Sequence, residues 1–359
     1  MSVPEQPVTS AAAFSMARVR PVSFGLLTCL VGTALFAFYW TGASGHTDFD
    51  QVYLGALAIR ARANPYAVVG PGRHFEWHTP LYYPLPALLA ALPLTVFPIH
   101  VAAGIFVAVS CFLFGWAIGR DGNRWRLLTV ASQSFLMCVG SAQWSVLMLA
   151  ACYLPAVGAI ALVKPNVALI ASSHWRRARD LIPLVVGSAV LLTISFAVRP
   201  SWPRDWATTL GSAPLQHAPV ATVAGISALG VLLRWRRPEA RVLAAYALIP
   251  QTPGPYTDLL LFAIPKSRWE FVCLAFLSYC TLPVARLLGL HGSLGDQLIR
   301  YQSVSSALML LPCVIMVLLR PNTGDVPAWL HRRLDAVPAW IRGFPATQHA
   351  DHQSEPRQD

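Results

Sequence analysis

The feature that most constrains this chain is a series of apolar runs with few or no charged residues, each close to the length that crosses a lipid bilayer. The first run extends from Val22 to about Thr41, and an α-helix needs roughly 20 apolar residues to span the hydrocarbon core. Residues 99–118 and 270–289 repeat the pattern. The runs are continuously apolar rather than alternating, which favours helices over a β-barrel. The chain is therefore predicted to be an all-α polytopic membrane protein.

Composition argues against a soluble globular class. The chain is 55% hydrophobic and only 12% charged, whereas soluble domains carry about 25% charged residues. The net charge of +11 comes from short arginine clusters between apolar runs, which is the positive-inside pattern of membrane proteins. We therefore expect membrane lipids, and no nucleic acid, as partners. The seven cysteines show neither a disulfide framework nor metal-ligand spacing.

The order of polar and apolar segments predicts three regions. Residues 1–20 form a cytoplasmic tail, and the first apolar run is too long for a signal-peptide core of roughly 7–15 residues, so it is a retained helix. Residues 21–320 form a transmembrane domain of about ten helices. Within it, residues 42–83 form the first extracytoplasmic loop, and the proline-rich segment 84–98 is re-entrant. Residues 321–359 form a cytoplasmic tail with membrane-surface helices and a disordered end.

Two stretches leave the helix count open. Residues 144–173 have one crossing's worth of residues with some excess, are interrupted by prolines and end at a basic cluster, so we expect them to cross once. Residues 242–251 and 257–265 form a short kinked pair of helices, or else 242–265 is a single kinked helix. The pair keeps the basic tail on the cytoplasmic side.

Two carboxylates, Asp48 and Asp50, lie directly behind the first apolar run. Acidic residues in such a place are usually solvated or cap the next helix. Here, proline- and tyrosine-rich segments follow and favour a folded roof over the membrane surface, because Tyr and Trp prefer the interface. A carboxylate shielded by such a roof could have its pKa tuned for general-base chemistry.

A cation within the apolar sequence is the second candidate. Lys164 lies in an apolar stretch, where an ionisable residue is a functional hypothesis by default, although a lysine that snorkels to the cytoplasmic surface is an equal alternative. Further cationic candidates on the outer side are Arg60, Arg73, His78, Arg199 and Arg204. His74, Glu76 and His78 alternate in a proline-rich loop, a pattern more typical of solvated residues than of a metal site, so no metal is predicted.

Several short motifs occur in a recognisable order. Thr47-Asp48-Phe49, Asn64-Pro65-Tyr66 and Tyr83-Pro84-Leu85 follow the first helix, Gly140-Ser141-Ala142-Gln143 ends another, and Val163-Lys164-Pro165-Asn166 precedes a basic turn. Over residues 20–270 this order resembles the GT-C membrane glycosyltransferases, in particular the polyprenyl-phosphate-mannose-dependent mannosyltransferases of glycosyltransferase family 87. That family has an extra pair of passes between its Gly-Gln and Lys-Pro motifs, and this chain is about one helix short there.

The resemblance implies a GT-C-like bundle that transfers a sugar, mannose above all, from a polyprenyl-phosphate donor to a lipid or glycan acceptor with inversion. It implies a site on the extracytoplasmic side of the cell (inner) membrane, with Asp48 as general base, Asp50 as runner-up or helper, and no cofactor. The substrate-binding candidates are Tyr53, Arg60, Asn64, Tyr66, His78, Tyr83, Gln143, Lys164 and Tyr256. Two alternatives stay open: a lipid or polymer transporter without chemistry, and a non-catalytic assembly partner of the same fold.

Overall fold

The computed structural model describes residues 11–42, 46–211, 213, 217–289 and 293–324. Within these ranges the chain is almost wholly helical, and its sheet is a pair of two-residue parallel strands, β1 (Val69–Gly70) and β2 (Phe75–Glu76). Residues 1–10 and 325–359 lie outside the described residues, and with them the surface helices predicted in the C-terminal tail.

Helices of very different length follow one another along the chain. In order, the α-helices of the described residues are α1 (Ala11–Gly42), α2 (Asp48–Arg60), α3 (Pro65–Val68), α4 (Leu85–Ala91), α5 (Ile99–Asp121), α6 (Gln133–Gly140), α7 (Ser145–Tyr153), α8 (Pro165–Ser172), α9 (Ile182–Val198), α10 (Trp202–Leu210), α11 (Val223–Ile226), α12 (Pro238–Leu248), α13 (Pro255–Asp258), α14 (Arg268–Leu287), α15 (Leu294–Ser305) and α16 (Leu311–Leu318). Short 3-10 segments extend or connect them at Leu92–Val96, Arg124–Ala131, Pro155–Val163, Ala178–Leu181, Pro219–Ala221, Ser227–Arg234 and Leu259–Ala263, and a π-helical turn at Ser306–Leu310 joins α15 to α16.

Five helices among the described residues are long and apolar enough to cross a membrane. They are Pro21–Trp40, Ile99–Asp121, Ala178–Val198, Arg268–Leu287 and Gly295–Leu318. Two shorter apolar helices, Leu85–Val96 and Val223–Arg234, fall below that length. The architecture is thus the predicted all-α membrane type, with five crossings supported by helix length against the ten expected from the sequence.

Helices α1 and α5 form an antiparallel pair that fixes the two ends of the bundle. Glycines of α5 allow the close approach, since a Cβ added at Gly115 or Gly119 would collide with backbone atoms of Phe24 or Pro21. The opposite end of the pair brings Trp40 and His100 together, with ring centroids 6.2 Å apart. We call this second end the cavity end, and the end that carries the C-terminus of α5 the basic end.

Helix α2 lies at the cavity end and packs against α4. Two hydrogen bonds hold the chain beyond α4 to the same helix: the Tyr53 hydroxyl donates to the Phe97 carbonyl at 2.7 Å, and Arg60 Nη1 donates to the Thr95 carbonyl at 2.6 Å. The segment predicted to be re-entrant therefore runs along α2 before α5 begins.

The expectation that residues 144–173 cross once is wrong. This segment folds into three short antiparallel pieces. Helix α7 runs from the cavity end toward the basic end, the 3-10 segment Pro155–Val163 returns, and α8 runs back again. Lys164 Nζ consequently lies 3.0 Å from Gln143 Oε1 at the cavity end. At the other end, the rings of Tyr153 and His174 are 5.4 Å apart. Prolines 155 and 165 begin the second and third pieces, where their missing N–H groups are tolerated.

Residues 238–263 form the predicted pair of helices rather than one. Helix α12 leaves the basic end, and the chain turns at the cavity end, where Gln251 bridges to His217. The turn leads into α13 and the 3-10 segment Leu259–Ala263. Lys266 is back at the basic end, since its carbonyl accepts a hydrogen bond of 3.0 Å from Asn123 Nδ2.

Candidate functional site

Asp48 is the first residue of α2, at the point where the helix N-terminus meets the end of α6. The backbone N–H of Asp48 donates to the Ser141 carbonyl at 3.0 Å, which docks the start of one helix onto the corner after the other. Ala142, in this corner, has a left-handed backbone with φ of 48°. The unusual conformation, which costs an L-residue roughly 1–2 kcal/mol, ends α6 and turns the following residue, Gln143, toward Asp48.

Asp50, the runner-up base, is a capping residue. It is 1% exposed, and its carboxylate accepts from the Thr47 hydroxyl at 2.7 Å and from the Thr47 backbone N–H at 3.0 Å. These are the contacts of a capping box, which satisfies the free N–H groups at a helix start. The structure thus places the two predicted carboxylates in different roles: Asp50 fixes the N-terminus of α2, and Asp48 faces a cavity.

The main cavity, as we call it, has a volume of about 350 Å³. It lies between the start of α2, the loop before α4, the corner after α6, the turn before α8, α10 and α13. Its lining residues are Asp48, Gln51, Trp77, His78, Thr79, Tyr82, Tyr83, Pro84, Gln143, Val163, Lys164, Pro165, Asn166, Trp206, Leu210, Ala213, Thr252, Tyr256 and Thr257. Its size and mixed aromatic and polar lining are those of a small-molecule site.

A carboxylate and an ammonium meet in this cavity through one amide side chain. Gln143 Nε2 donates to Asp48 Oδ2, and Lys164 Nζ donates to Gln143 Oε1 at 3.0 Å. The Lys164 ammonium also lies over the ring of Tyr256, 5.1 Å from its centroid, in the range of a cation–π contact. The three groups form a chain in which the negative and positive charges are held apart by the length of the glutamine amide.

The environment of Asp48 favours proton uptake. Burial raises the pKa of its carboxyl above the ordinary value, and the Lys164 ammonium and His78 offset part of this increase. No described residue hydrogen-bonds Asp48 Oδ1, so this oxygen is left to accept a proton from a group that enters the cavity. A carboxylate with a raised pKa is a better general base than an exposed one.

Aromatic residues make up much of the cavity wall. Trp77, Tyr82, Tyr83, Trp206 and Tyr256 all line the cavity. Trp206 Nε1 donates to the Tyr82 carbonyl at 2.9 Å, so α10 is attached to the loop before α4. Flat aromatic faces beside hydrogen-bonding groups suit a sugar, which has both apolar ring faces and hydroxyls.

The sequence-predicted site residues separate into three groups. Asp48, His78, Tyr83, Gln143, Lys164 and Tyr256 line the main cavity. Asn64 and Tyr66 line a second, smaller cavity. Tyr53 and Arg60 bind the chain after α4 through their hydrogen bonds to the Phe97 and Thr95 carbonyls, and line neither cavity.

Sequence reasoning missed Gln51 and Trp206. Gln51 lies one helical turn after Asp48 and ties α2 to the loop above it, because its Nε2 donates to the Thr79 hydroxyl at 2.9 Å and to the Pro80 carbonyl at 2.7 Å. The signal was present in the i, i+3 spacing, which places both residues on one face of the helix. No comparable signal singled out Trp206 from the other tryptophans.

A second buried carboxylate, Asp258, lies directly after Thr257, which lines the main cavity. It is 2% exposed. Its Oδ1 accepts from the Tyr246 hydroxyl at 2.8 Å and from the Ser305 hydroxyl at 2.6 Å, and its Oδ2 accepts from the Tyr301 hydroxyl at 2.8 Å. The group, which we call the Asp258 cluster, links α12, α13 and α15.

Among the described residues, no three His, Cys, Asp or Glu side chains converge as metal ligands would. The chain matches no family model, no curated protein and no solved structure. The function is therefore inferred from the residues that line the main cavity.

Proposed function

We propose that this protein is a membrane glycosyltransferase that moves a sugar from a polyprenyl-phosphate donor to an acceptor hydroxyl with inversion. The observation that carries the proposal is the Asp48–Gln143–Lys164 chain in a cavity walled by aromatic side chains. Glycosyl transfer from a phosphate needs a base on one side of the reacting carbon and a cation on the other. Asp48 provides the base and Lys164 provides the cation.

The chemistry is a single displacement. The acceptor hydroxyl approaches Asp48 Oδ1, gives up its proton to this carboxylate, and its oxygen bonds to the anomeric carbon of the donor sugar. The bond between that carbon and the phosphate oxygen breaks, and its electron pair leaves with the polyprenyl phosphate. The Lys164 ammonium stabilises the charge that develops on the departing phosphate. Asp48 is the one carboxylate among the residues that line the main cavity, which favours direct transfer over a covalent glycosyl-enzyme.

The fold of residues 144–173 also favours this proposal. The GT-C family has an extra pair of passes between its Gly-Gln and Lys-Pro motifs, and the two short antiparallel pieces between Gln143 and Lys164, α7 and Pro155–Val163, correspond to such a pair in shortened form. They bring Lys164 back to the cavity end. A snorkelling lysine at the basic end would be unable to reach Gln143.

The distribution of charge suggests the orientation. Arg126, Arg241, Lys266 and Arg320 all bind groups at the basic end, and cytoplasmic loops carry an excess of Lys and Arg. We infer that the basic end is cytoplasmic and that the main cavity opens at the extracytoplasmic side of the cell membrane.

The test is conversion of the donor by the full chain in liposomes. Purified protein is given polyprenyl-phosphate [14C]mannose together with methyl α-mannoside and a mixture of mannobioses, and the lipids and glycosides are separated by thin-layer chromatography. A transferase produces a labelled glycoside and free polyprenyl phosphate, and Asp48→Asn does not, while Glu76→Gln, an exposed carboxylate on the same face, retains the activity. Labelled lipid that crosses the bilayer intact, with no glycoside formed, would instead favour a transporter and contradict the proposal.

A further inference from the structure

A second cavity lies beside the main one on the same end of the bundle. It measures about 280 Å³ and is formed by α3, the loop from β1 to Pro80 and α10. Its lining residues are Asn64, Tyr66, Ala67, Arg73, Pro80, Asp205, Thr208 and Thr209. We call it the side cavity. Only Ala67 and Pro80 of these side chains lack a hydrogen-bonding group, so a ligand here would be polar.

The most informative group in the side cavity is the carboxylate of Asp205. Its Oδ2 accepts from Arg199 Nε at 2.7 Å, from the Ser201 hydroxyl at 3.0 Å and from Asn64 Nδ2 at 3.5 Å. Every hydrogen bond that the described residues make to this carboxylate goes to Oδ2. Oδ1 is therefore left to accept from a ligand, while the other oxygen is fixed.

The charge balance of the side cavity argues against an anionic ligand. Arg73 donates to the Tyr66 and Val69 carbonyls, so it is engaged in holding the loop, and Arg199 is paired with Asp205. A phosphate would have to approach an ionised carboxylate, which costs free energy through like-charge repulsion. A neutral polyol donates hydroxyls to the carboxylate and to threonine side chains without that cost. The lining thus suits a sugar better than a lipid phosphate.

The two cavities share a wall made of neighbouring residues. Thr79 lines the main cavity and Pro80 the side cavity, and in α10 Trp206 lines the main cavity while Asp205 lines the other. Tyr66, in the side cavity, donates its hydroxyl to the carbonyl of Tyr83, in the main cavity, at 3.2 Å. The two cavities are therefore neighbours, separated by a wall one residue thick.

We propose that the side cavity binds the sugar unit next to the one that accepts at Asp48, so that the acceptor is a glycan of at least two sugars. This inference rests on the proposed transferase function and adds the acceptor class to it. Asp205 and Asn64 would hold ring hydroxyls of the second unit, and the Tyr66–Tyr83 contact would set the distance between the two units. Asp205 is a binding residue for the acceptor and takes no part in the proton transfer.

The experiment compares acceptors of different length on the full chain in liposomes. Methyl α-mannoside, the methyl glycosides of mannobioses and those of mannotrioses are each supplied with polyprenyl-phosphate [14C]mannose, and kcat/KM is measured. We expect kcat/KM to rise at least about tenfold from one sugar to two, the size of one charge-assisted hydrogen bond, and to change little from two to three. Asp205→Asn should remove most of this preference by raising KM for the disaccharide, because the amide oxygen would stay with Arg199 and Ser201 and leave an N–H₂ facing the ligand. Glu76→Gln is the matched control and should retain the preference.

The outcomes separate this inference from the proposed function. Equal kcat/KM for one and two sugars, or an undiminished preference in Asp205→Asn, overturns the side-cavity assignment and leaves the transferase in place. If no acceptor is used, binding of the mannobioses is measured by saturation-transfer NMR. Binding that Asp205→Asn weakens keeps the side cavity as a glycan site while the transferase proposal fails, and absence of binding overturns both. Intrinsic tryptophan fluorescence melting of each variant establishes that it is folded.

Discussion

Asp258 and Asp48 both lie at the cavity end of this protein, the first buried and the second half-buried, and they differ in their hydrogen bonding. Asp258 accepts three hydroxyl hydrogen bonds, from Tyr246, Tyr301 and Ser305, which occupy both of its oxygens. Asp48 accepts one, from Gln143, and lines an open volume of about 350 Å³. A carboxylate with hydrogen bonds on both oxygens holds helices together, whereas one with an oxygen that no described residue hydrogen-bonds, beside a cavity, is able to take a proton.

The largest effect should come from Asp48→Asn. An amide cannot accept the acceptor's proton, so we expect transfer to fall about 10³-fold, within the range that a positioned general base supplies. The shape of the side chain is kept, so the melting temperature of the purified variant should change little. Initial rates of [14C]mannose transfer, normalised to folded protein, measure the loss. A variant that melts far below the wild type would make Asp48 a structural residue like Asp258.

Asp258→Ala tests the other half of the comparison. It leaves the buried hydroxyls of Tyr246, Tyr301 and Ser305 without their acceptor, and each unsatisfied group costs about 1–3 kcal/mol. We expect a loss of stability of about 3 kcal/mol or more, seen as a lower melting temperature and less folded protein. Transfer per folded molecule should stay within a few-fold of wild type. Loss of transfer with unchanged stability would show that the Asp258 cluster takes part in the reaction, and would contradict its assignment as a structural group.

Lys164→Met should have the next largest effect, because it removes the cation opposite Asp48 while keeping an unbranched side chain of similar length. Loss of one charge-stabilising donor in an active site costs about 10²-fold in kcat. The measurement is kcat with saturating disaccharide acceptor. The matched control is Lys266→Met, which breaks an ion pair with Glu239 at the basic end and should leave kcat close to wild type.

The smallest effect expected is a shift in pH dependence. Burial raises the pKa of Asp48, and the Lys164 charge lowers it again in part. The base must be ionised to accept a proton, so kcat/KM should rise with pH through an acid limb above the ordinary Asp pKa of about 4. Lys164→Met removes the lowering contribution, and the limb should move to higher pH. An acid limb at lower pH in the variant would contradict this assignment of the ionisable group.

The sequence predicted those parts of the molecule that follow from composition and local pattern. Apolar runs near twenty residues long indicated the long helices, and Asp48 stood out because it follows the first of them. Asp50, three residues after Thr47, has the spacing of a capping box, and the interpretation as a cap was among those considered. These features depend only on residues that are close together in the sequence.

What the sequence could not supply was the return of the chain between Gln143 and Lys164. Pieces of eight or nine residues are too short to be recognised as membrane crossings by length, so the sequence predicts a single pass for residues 144–173. The sequence likewise predicts that Arg60 and Tyr53 bind substrate. Sequence alone does not show whether a polar residue near a site contacts a ligand or hydrogen-bonds a backbone carbonyl of the protein. Both distinctions depend on contacts between residues far apart in the chain.

The central claim is that Asp48 takes the proton from the acceptor hydroxyl while Lys164 stabilises the departing phosphate of the donor. A single-turnover experiment tests it most directly: polyprenyl-phosphate [14C]mannose is bound first to wild type or Asp48→Asn in liposomes, a mannobiose acceptor is then added in excess, and labelled glycoside is followed with time. We expect the variant to form glycoside about 10³-fold more slowly than wild type from the same amount of bound donor. Glycoside formation at the wild-type rate would contradict it.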